Sequence, residues 1–195
     1  MNEAMGAARA GLRGTWLERE ARWWRMMFLM LAVCTKTLGP LSTEAVREGI
    51  ARRLPALASL GGLPDGAERV PHVVVTKVER EPAPIYVSYD DREGVVCLAT
   101  PLHGTMELDD NMEGFQIDAR KSEGDLGDAL RACMANAVDM VRIEKVPDMT
   151  DEEAWPLAMA MAASLAEQGN GLVYVLPKEW VAPEGAGIRV LGKTP

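Results

Sequence analysis

The alternation of apolar and polar positions divides the chain into a short list of elements. Residues 3–25 carry good helix formers, with Ala8, Leu12, Trp16, Trp23 and Met27 near one face. Glu18 and Arg22 are spaced to pair on that helix, while Gly6, Gly11 and Gly14 weaken its first half. Phe28 to Thr35 is a continuous apolar run, the pattern of a strand buried on both faces and placed centrally in a sheet. Ser42 or Thr43 then caps a helix whose Val46, Ile50, Leu54, Leu57 and Leu60 recur at helical spacing. Pro55 is expected to kink or interrupt it, and Gly61-Gly62 to end it.

Strand signals follow. His72 to Val78 is valine-rich, and Ile85–Tyr89 and Val95–Ala99 flank the turn sequence DDREG, which predicts a hairpin. A weaker second hairpin is predicted between Thr105–Leu108 and Phe115–Asp118 across DDNMEG. After Ser122, the residues Leu126, Leu130, Cys133, Met134, Ala137, Val138 and Val141 fit a helix running to about Arg142, with a strand over Met140–Val146 as the alternative. Thr150 and Glu153 form a capping box for a further helix. Pro156 is expected to bend that helix near Trp155, and Gly169 to close it. Leu172–Leu176 reads as a strand, with a last short strand at Ile188–Leu191 in a Pro/Gly-rich tail. The order predicts an α+β fold: a mainly antiparallel sheet of five to seven strands with helices on one face. That layout is related to the ferredoxin-like arrangement and carries an N-terminal helix extension. The expected division is 1–25 as the helix extension, 26–182 as a single domain and 183–195 as the tail.

Composition sharpens this. The chain has 195 residues, 48% apolar and 26% charged, enough to bury a core without disulfide or metal. Three widely spaced cysteines, all in apolar stretches and without a CxxC pattern, predict buried reduced thiols and a cytoplasmic protein. The net charge of −8 is uneven. Residues 1–69 carry ten Lys and Arg against seven Asp and Glu, whereas residues 70–195 carry eleven against twenty-two. The acidic bulk would repel phosphate, which argues against nucleic acid and favours a basic protein partner or simple solubility.

The apolar run also has to be tested as a membrane signal. Met26 to Cys34 gives nine uninterrupted apolar residues, too few for a transmembrane helix of about twenty. LAVC is similar to the lipid-acceptor box of bacterial lipoproteins, but Val33 stands where a small residue is expected and Glu18 and Glu20 lie upstream. The core-strand reading is therefore preferred, with no membrane span.

Candidate chemistry is sparse. No phosphate loop, dinucleotide fingerprint, zincin motif or nucleophile elbow occurs. Of the two histidines, His103 in TPLHGTM is the better catalytic candidate, with Glu107 to orient it, although a histidine bonded to a backbone carbonyl is the simpler expectation. His72, beside Pro71, reads as structural. Asp90, Asp91 and Glu93 on one predicted tip, and Asp109, Asp110 and Glu113 on the other, could face a basic partner or a hard cation, but solvated turns explain them more simply. No metal or cofactor is expected. Trp16, Arg19, Arg22, Trp23 and Trp24 suit a docking helix, a membrane surface or packing on the chain's own domain. The leading functional expectation is a non-catalytic interaction protein, such as an acidic bacterial immunity or inhibitor protein or an accessory subunit. The alternatives are a small hydrolase-like enzyme using His103 and nearby carboxylates, or a sensor domain with a Met-lined ligand pocket. Homo-oligomerisation is left open.

Overall fold

The computed structural model describes residues 29–61, 65–79, 83–91, 95–146 and 149–195. The helix expected over residues 3–25, with Trp16, Arg19, Arg22, Trp23 and Trp24, lies outside the described residues, as does Glu93. Eight strands build one sheet: β1 (Leu29–Cys34), β2 (Val73–Lys77), β3 (Ile85–Tyr89), β4 (Val95–Pro101), β5 (Asp139–Lys145), β6 (Leu172–Val175), β7 (Glu179–Glu184) and β8 (Gly187–Lys193). Their spatial order is β2-β3-β4-β5-β1-β6-β7-β8, and every neighbouring pair is antiparallel. The described helices are α1 (Thr43–Leu60), the single turn α2 (Gly66–Arg69), α3 (Met106–Lys121), α4 (Gly124–Met134) and α5 (Asp151–Gln168).

The α+β class is as the pattern predicted, and β1 is central, between β5 and β6. Met30 to Cys34 are each no more than 1% exposed. Met30 and Ala32 face α1 and α5, while Leu31 and Val33 face the other way, which is why the run is apolar at every position. Strands β6-β1-β5-β4, with α1 and α5 on one face, reproduce the ferredoxin-like strand order and helix placement. The sheet is wider than expected because β2-β3 extends one edge and β7-β8 the other.

Helix α5 is buried nearly all round, from Leu157 to Ala166, because it lies between the sheet and α1. Its alanines and serine allow a close approach: a Cβ on Gly49 of α1 would lie 2.6 Å from the Cβ of Ser164. Ser42 and Thr150 cap α1 and α5 as expected, accepting from the backbone N–H of Ala45 and Glu153. Gly61 and Gly169 close the two helices.

Several expectations are corrected. The predicted hairpin over 105–118 is instead α3, capped by Thr105, whose hydroxyl accepts from the Leu108 N–H. Leu108, Met112, Phe115 and Ala119 give it an inward helical stripe, and the acidic residues of DDNMEG suit its N-terminal half. The helix expected to reach Arg142 stops at Met134, and Asp139–Lys145 is a strand. Its period-two burial, with Val141, Ile143 and Lys145 in and Arg142 and Glu144 partly out, prevails. Neither Pro55 nor Pro156 interrupts its helix; each removes one backbone bond, and the packing around α1 and α5 carries both through. The residues from 183 onward are not a separate tail, since β7 spans Glu179–Glu184 and β8 runs over Gly187–Lys193 within the sheet. A second helical layer, α3 and α4, covers part of the opposite face, where Phe115, Tyr174 and Trp180 meet with ring centroids 4.8–5.1 Å apart.

Candidate functional site

The sequence placed candidate chemistry at His103 and Glu107, and the fold separates them. His103 follows β4, in the turn before α3. Its Nδ1 lies 3.9 Å from Oδ1 of Asp139, the first residue of β5, and its ring is 65% exposed. Asp139 is buried, and both of its carboxylate oxygens are occupied: Oδ2 accepts from the Leu38 N–H at 3.0 Å and Oδ1 from the Met140 N–H at 2.8 Å. These bonds fasten the loop after β1 to the start of β5. A cavity of about 270 Å³ opens beside them, lined by Thr37, Leu38, Lys77, Pro101, His103 and Asp139 among others. Lys77 donates to the Leu41 carbonyl at 3.4 Å. The separation of 3.9 Å is too long for a hydrogen bond, so Asp139 does not orient the imidazole as a base would need.

Glu107 has a different partner. Helix α3 turns it toward β5, where it accepts two hydrogen bonds from Nη1 of Arg142, at 2.6 and 2.8 Å. Arg142 Nε also lies 3.0 Å from Glu144. One guanidinium thus sits between two carboxylates, and the group retains a negative charge. Asp139 was missed in the sequence because its segment read as the end of a helix.

The carboxylate tips do not converge. Asp90 and Asp91 lie in the β3–β4 turn, at one end of β4. Asp109 and Asp110 lie in α3, which follows the other end of that strand. At the first of these, a histidine joins: His72 Nδ1 is 2.7 Å from Asp90 Oδ1, and His72, Asp90 and Asp91 offer ligand atoms within 4.8 Å of one another. This is the only such grouping of three among the described residues. It could hold a divalent cation through one nitrogen and two oxygens, though Asp90 and Asp91 are exposed to water and His72 is half-exposed. Sequence spacing offers no pointer to this His, because the β2–β3 register brings it there: Asp90 N–H donates to the His72 carbonyl at 2.8 Å.

The third group is the surface of α3. Met106, Asp109, Asp110 and Glu113 fall at i, i+3, i+4 and i+7, and therefore share one face. All four are exposed, Met106 by 81%. None of the three carboxylates makes an ion pair among the described residues. Thus Asp109, Asp110 and Glu113 are brought together, but on a helix rather than a hairpin tip.

The fold and these groups define an antiparallel α+β protein with an acidic helical face and no assembled catalytic constellation among the described residues. No protein-family model, curated protein or solved structure matches the chain. No described helix is long and apolar enough to cross a membrane.

Proposed function

We propose that the chain is a non-catalytic interaction protein that holds a basic protein partner on the outer face of α3, as an inhibitor, an immunity protein or an accessory subunit would. One observation carries this: Met106, Asp109, Asp110 and Glu113 form a single exposed stripe in which an apolar side chain stands beside three carboxylates that make no ion pair among the described residues. A flexible apolar anchor ringed by charge suits a protein contact, and the acidic bulk of residues 70–195 would steer a basic partner toward it. The test compares the full chain with the Asp109→Lys/Asp110→Lys/Glu113→Lys variant as bait in extract of the source cells. A basic protein held in stoichiometric amount by the parent and lost by the variant supports the proposal. Equal retention by both, or no retained protein, overturns it.

A second reading, small-ligand binding or chemistry at His103, is favoured by the cavity shared by His103, Asp139 and Lys77. Native mass spectrometry of the full chain from its own cells, with and without Lys77→Ala, tests it. A bound small molecule lost on substitution supports it, and the bare chain mass in both samples counts against it.

A further inference from the structure

The cavity of about 270 Å³ under the loop after β1 carries two opposite charges that do not neutralise each other. Asp139 lines it and is only 4% exposed. Its Oδ1 and Oδ2 each accept one backbone N–H, from Met140 and Leu38. A carboxylate oxygen has two lone pairs, so each oxygen keeps one for a further donor. Lys77 of β2 lines the same cavity and gives one of its three ammonium protons to the Leu41 carbonyl, at 3.4 Å. Lys77 and Asp139 make no ion pair with each other among the described residues.

His103 adds a second acceptor beside the carboxylate. Its Nδ1 is 3.9 Å from Asp139 Oδ1, too far for a direct bond. A donor atom seated about 2.9 Å from each would bridge them, with the imidazole proton on Nε2. The remaining wall is apolar, with Leu38, Pro101 and Val141 on it.

We propose, resting on the second reading above, that this cavity binds a free aliphatic amino acid. The ammonium of the ligand donates to Asp139 Oδ1 and His103 Nδ1, its carboxylate accepts from Lys77, and its side chain rests on Leu38, Pro101 and Val141. Charge selects this class. A simple anion would meet the buried carboxylate of Asp139, and a simple cation would meet the ammonium of Lys77. A zwitterion satisfies both with charge-assisted hydrogen bonds. Size agrees: at about 30 Å³ for each water-sized atom the cavity takes about nine non-hydrogen atoms, and aliphatic amino acids have about six to nine.

The test is calorimetric titration of the full chain with L-alanine, L-valine, L-leucine and L-methionine. At least one is expected to bind with a Kd below about 1 mM. The matched amine without the carboxylate and the matched acid without the ammonium should each bind at least about tenfold more weakly. Lys77→Met should weaken the amino acid by a similar factor. Lys77 is exposed, so this variant keeps the fold, which an unchanged urea midpoint verifies. It is preferred to Asp139→Asn, which would disturb the Leu38 and Met140 bonds. Equal binding of the amine or the acid, or full affinity in Lys77→Met, overturns the amino-acid assignment. So does the absence of binding by all four. If native mass spectrometry then finds another small molecule that Lys77→Ala releases, the cavity still holds a ligand of a different class. If it finds the bare chain, the second reading falls as well.

Discussion

Arg53 of α1, wholly buried, holds its Nη2 3.0 Å from the carboxylate of Glu167 near the end of α5, while its Nη1 donates to the Gly187 carbonyl of β8 at 2.8 Å. Arg52 pairs with the same carboxylate from the solvent side. One guanidinium thus joins two helices and an outer strand, and its burial makes each partner matter.

Arg53→Ala is expected to destabilise the protein by about 3 kcal/mol, since it removes a buried hydrogen bond, an ion pair and side-chain volume together. Glu167→Gln should cost less, about 1 kcal/mol, because that carboxylate is 40% exposed and water can replace part of the interaction. Burial would raise the pKa of Glu167, but hydrogen bonds from Arg52 and Arg53 outweigh it and hold the carboxyl below its ordinary value. A depressed folded-state pKa contributes stability above the unfolded value of about 4.3, and that contribution fades as pH falls through the folded value. Urea midpoints of parent and Glu167→Gln should therefore differ at pH 7 and converge in the acid limb.

Glycine contacts give a sharper stability test. A Cβ on Gly171 would come 1.8 Å from the Val33 carbonyl oxygen, a backbone atom of the central strand. Gly171→Ala should cost more than about 3 kcal/mol. At Gly49 the obstacle is the Ser164 side chain, which can be removed. Gly49→Ala should be partly rescued by Ser164→Gly, and a double-mutant cycle measured by denaturant unfolding should show favourable coupling.

The thiols should be silent in the folded protein. Burial, followed by the nearby Asp139 and Cys133, pushes Cys34 up to about 12, and burial pushes Cys133 up to about 11 and Cys97 above the ordinary range. A colorimetric thiol titration at pH 8 should run at least about a hundredfold slower than for an exposed cysteine, and release three equivalents on denaturation. Prompt reaction of any one under native conditions would contradict the packing around it.

Asp139 and His103 should separate in a mutational test. Asp139→Ala leaves the Leu38 and Met140 N–H groups without their acceptor and is expected to lower stability by about 1–3 kcal/mol. His103→Ala, at an exposed side chain that makes no hydrogen bond among the described residues, should change it by less than about 0.5 kcal/mol. Thermal and urea unfolding of both variants checks the contrast.

What could be read from the sequence was what local chemistry decides. The helix caps at Ser42 and Thr150, the terminators Gly61 and Gly169, the β3–β4 hairpin and the buried β1 all follow from neighbouring residues. DDNMEG misled because Asp, Asn and Gly serve turns and helix N-terminal halves alike, yet Leu108, Met112, Phe115 and Ala119 already held the helical stripe. The segment after Ala137 misled because Asp139, Met140 and Val141 at the start of β5 are buried on both faces, which hides the period-two pattern that only Arg142 and Glu144 reveal. The sites depended on partners distant in sequence. Glu107 is four residues from His103, but α3 turns it to Arg142, and His72 meets Asp90 only through strand register.

The position of β1 also governs the order in which the molecule can assemble. Its partners β5 and β6 lie more than a hundred residues downstream, whereas β2-β3-β4 and β7-β8 are closed by local turns. On the ribosome, the most apolar strand emerges long before anything can flank it, and the sheet's centre closes only when nearly the whole chain has been made. The local hairpins can form first, while β1 waits as the segment most in need of protection from aggregation.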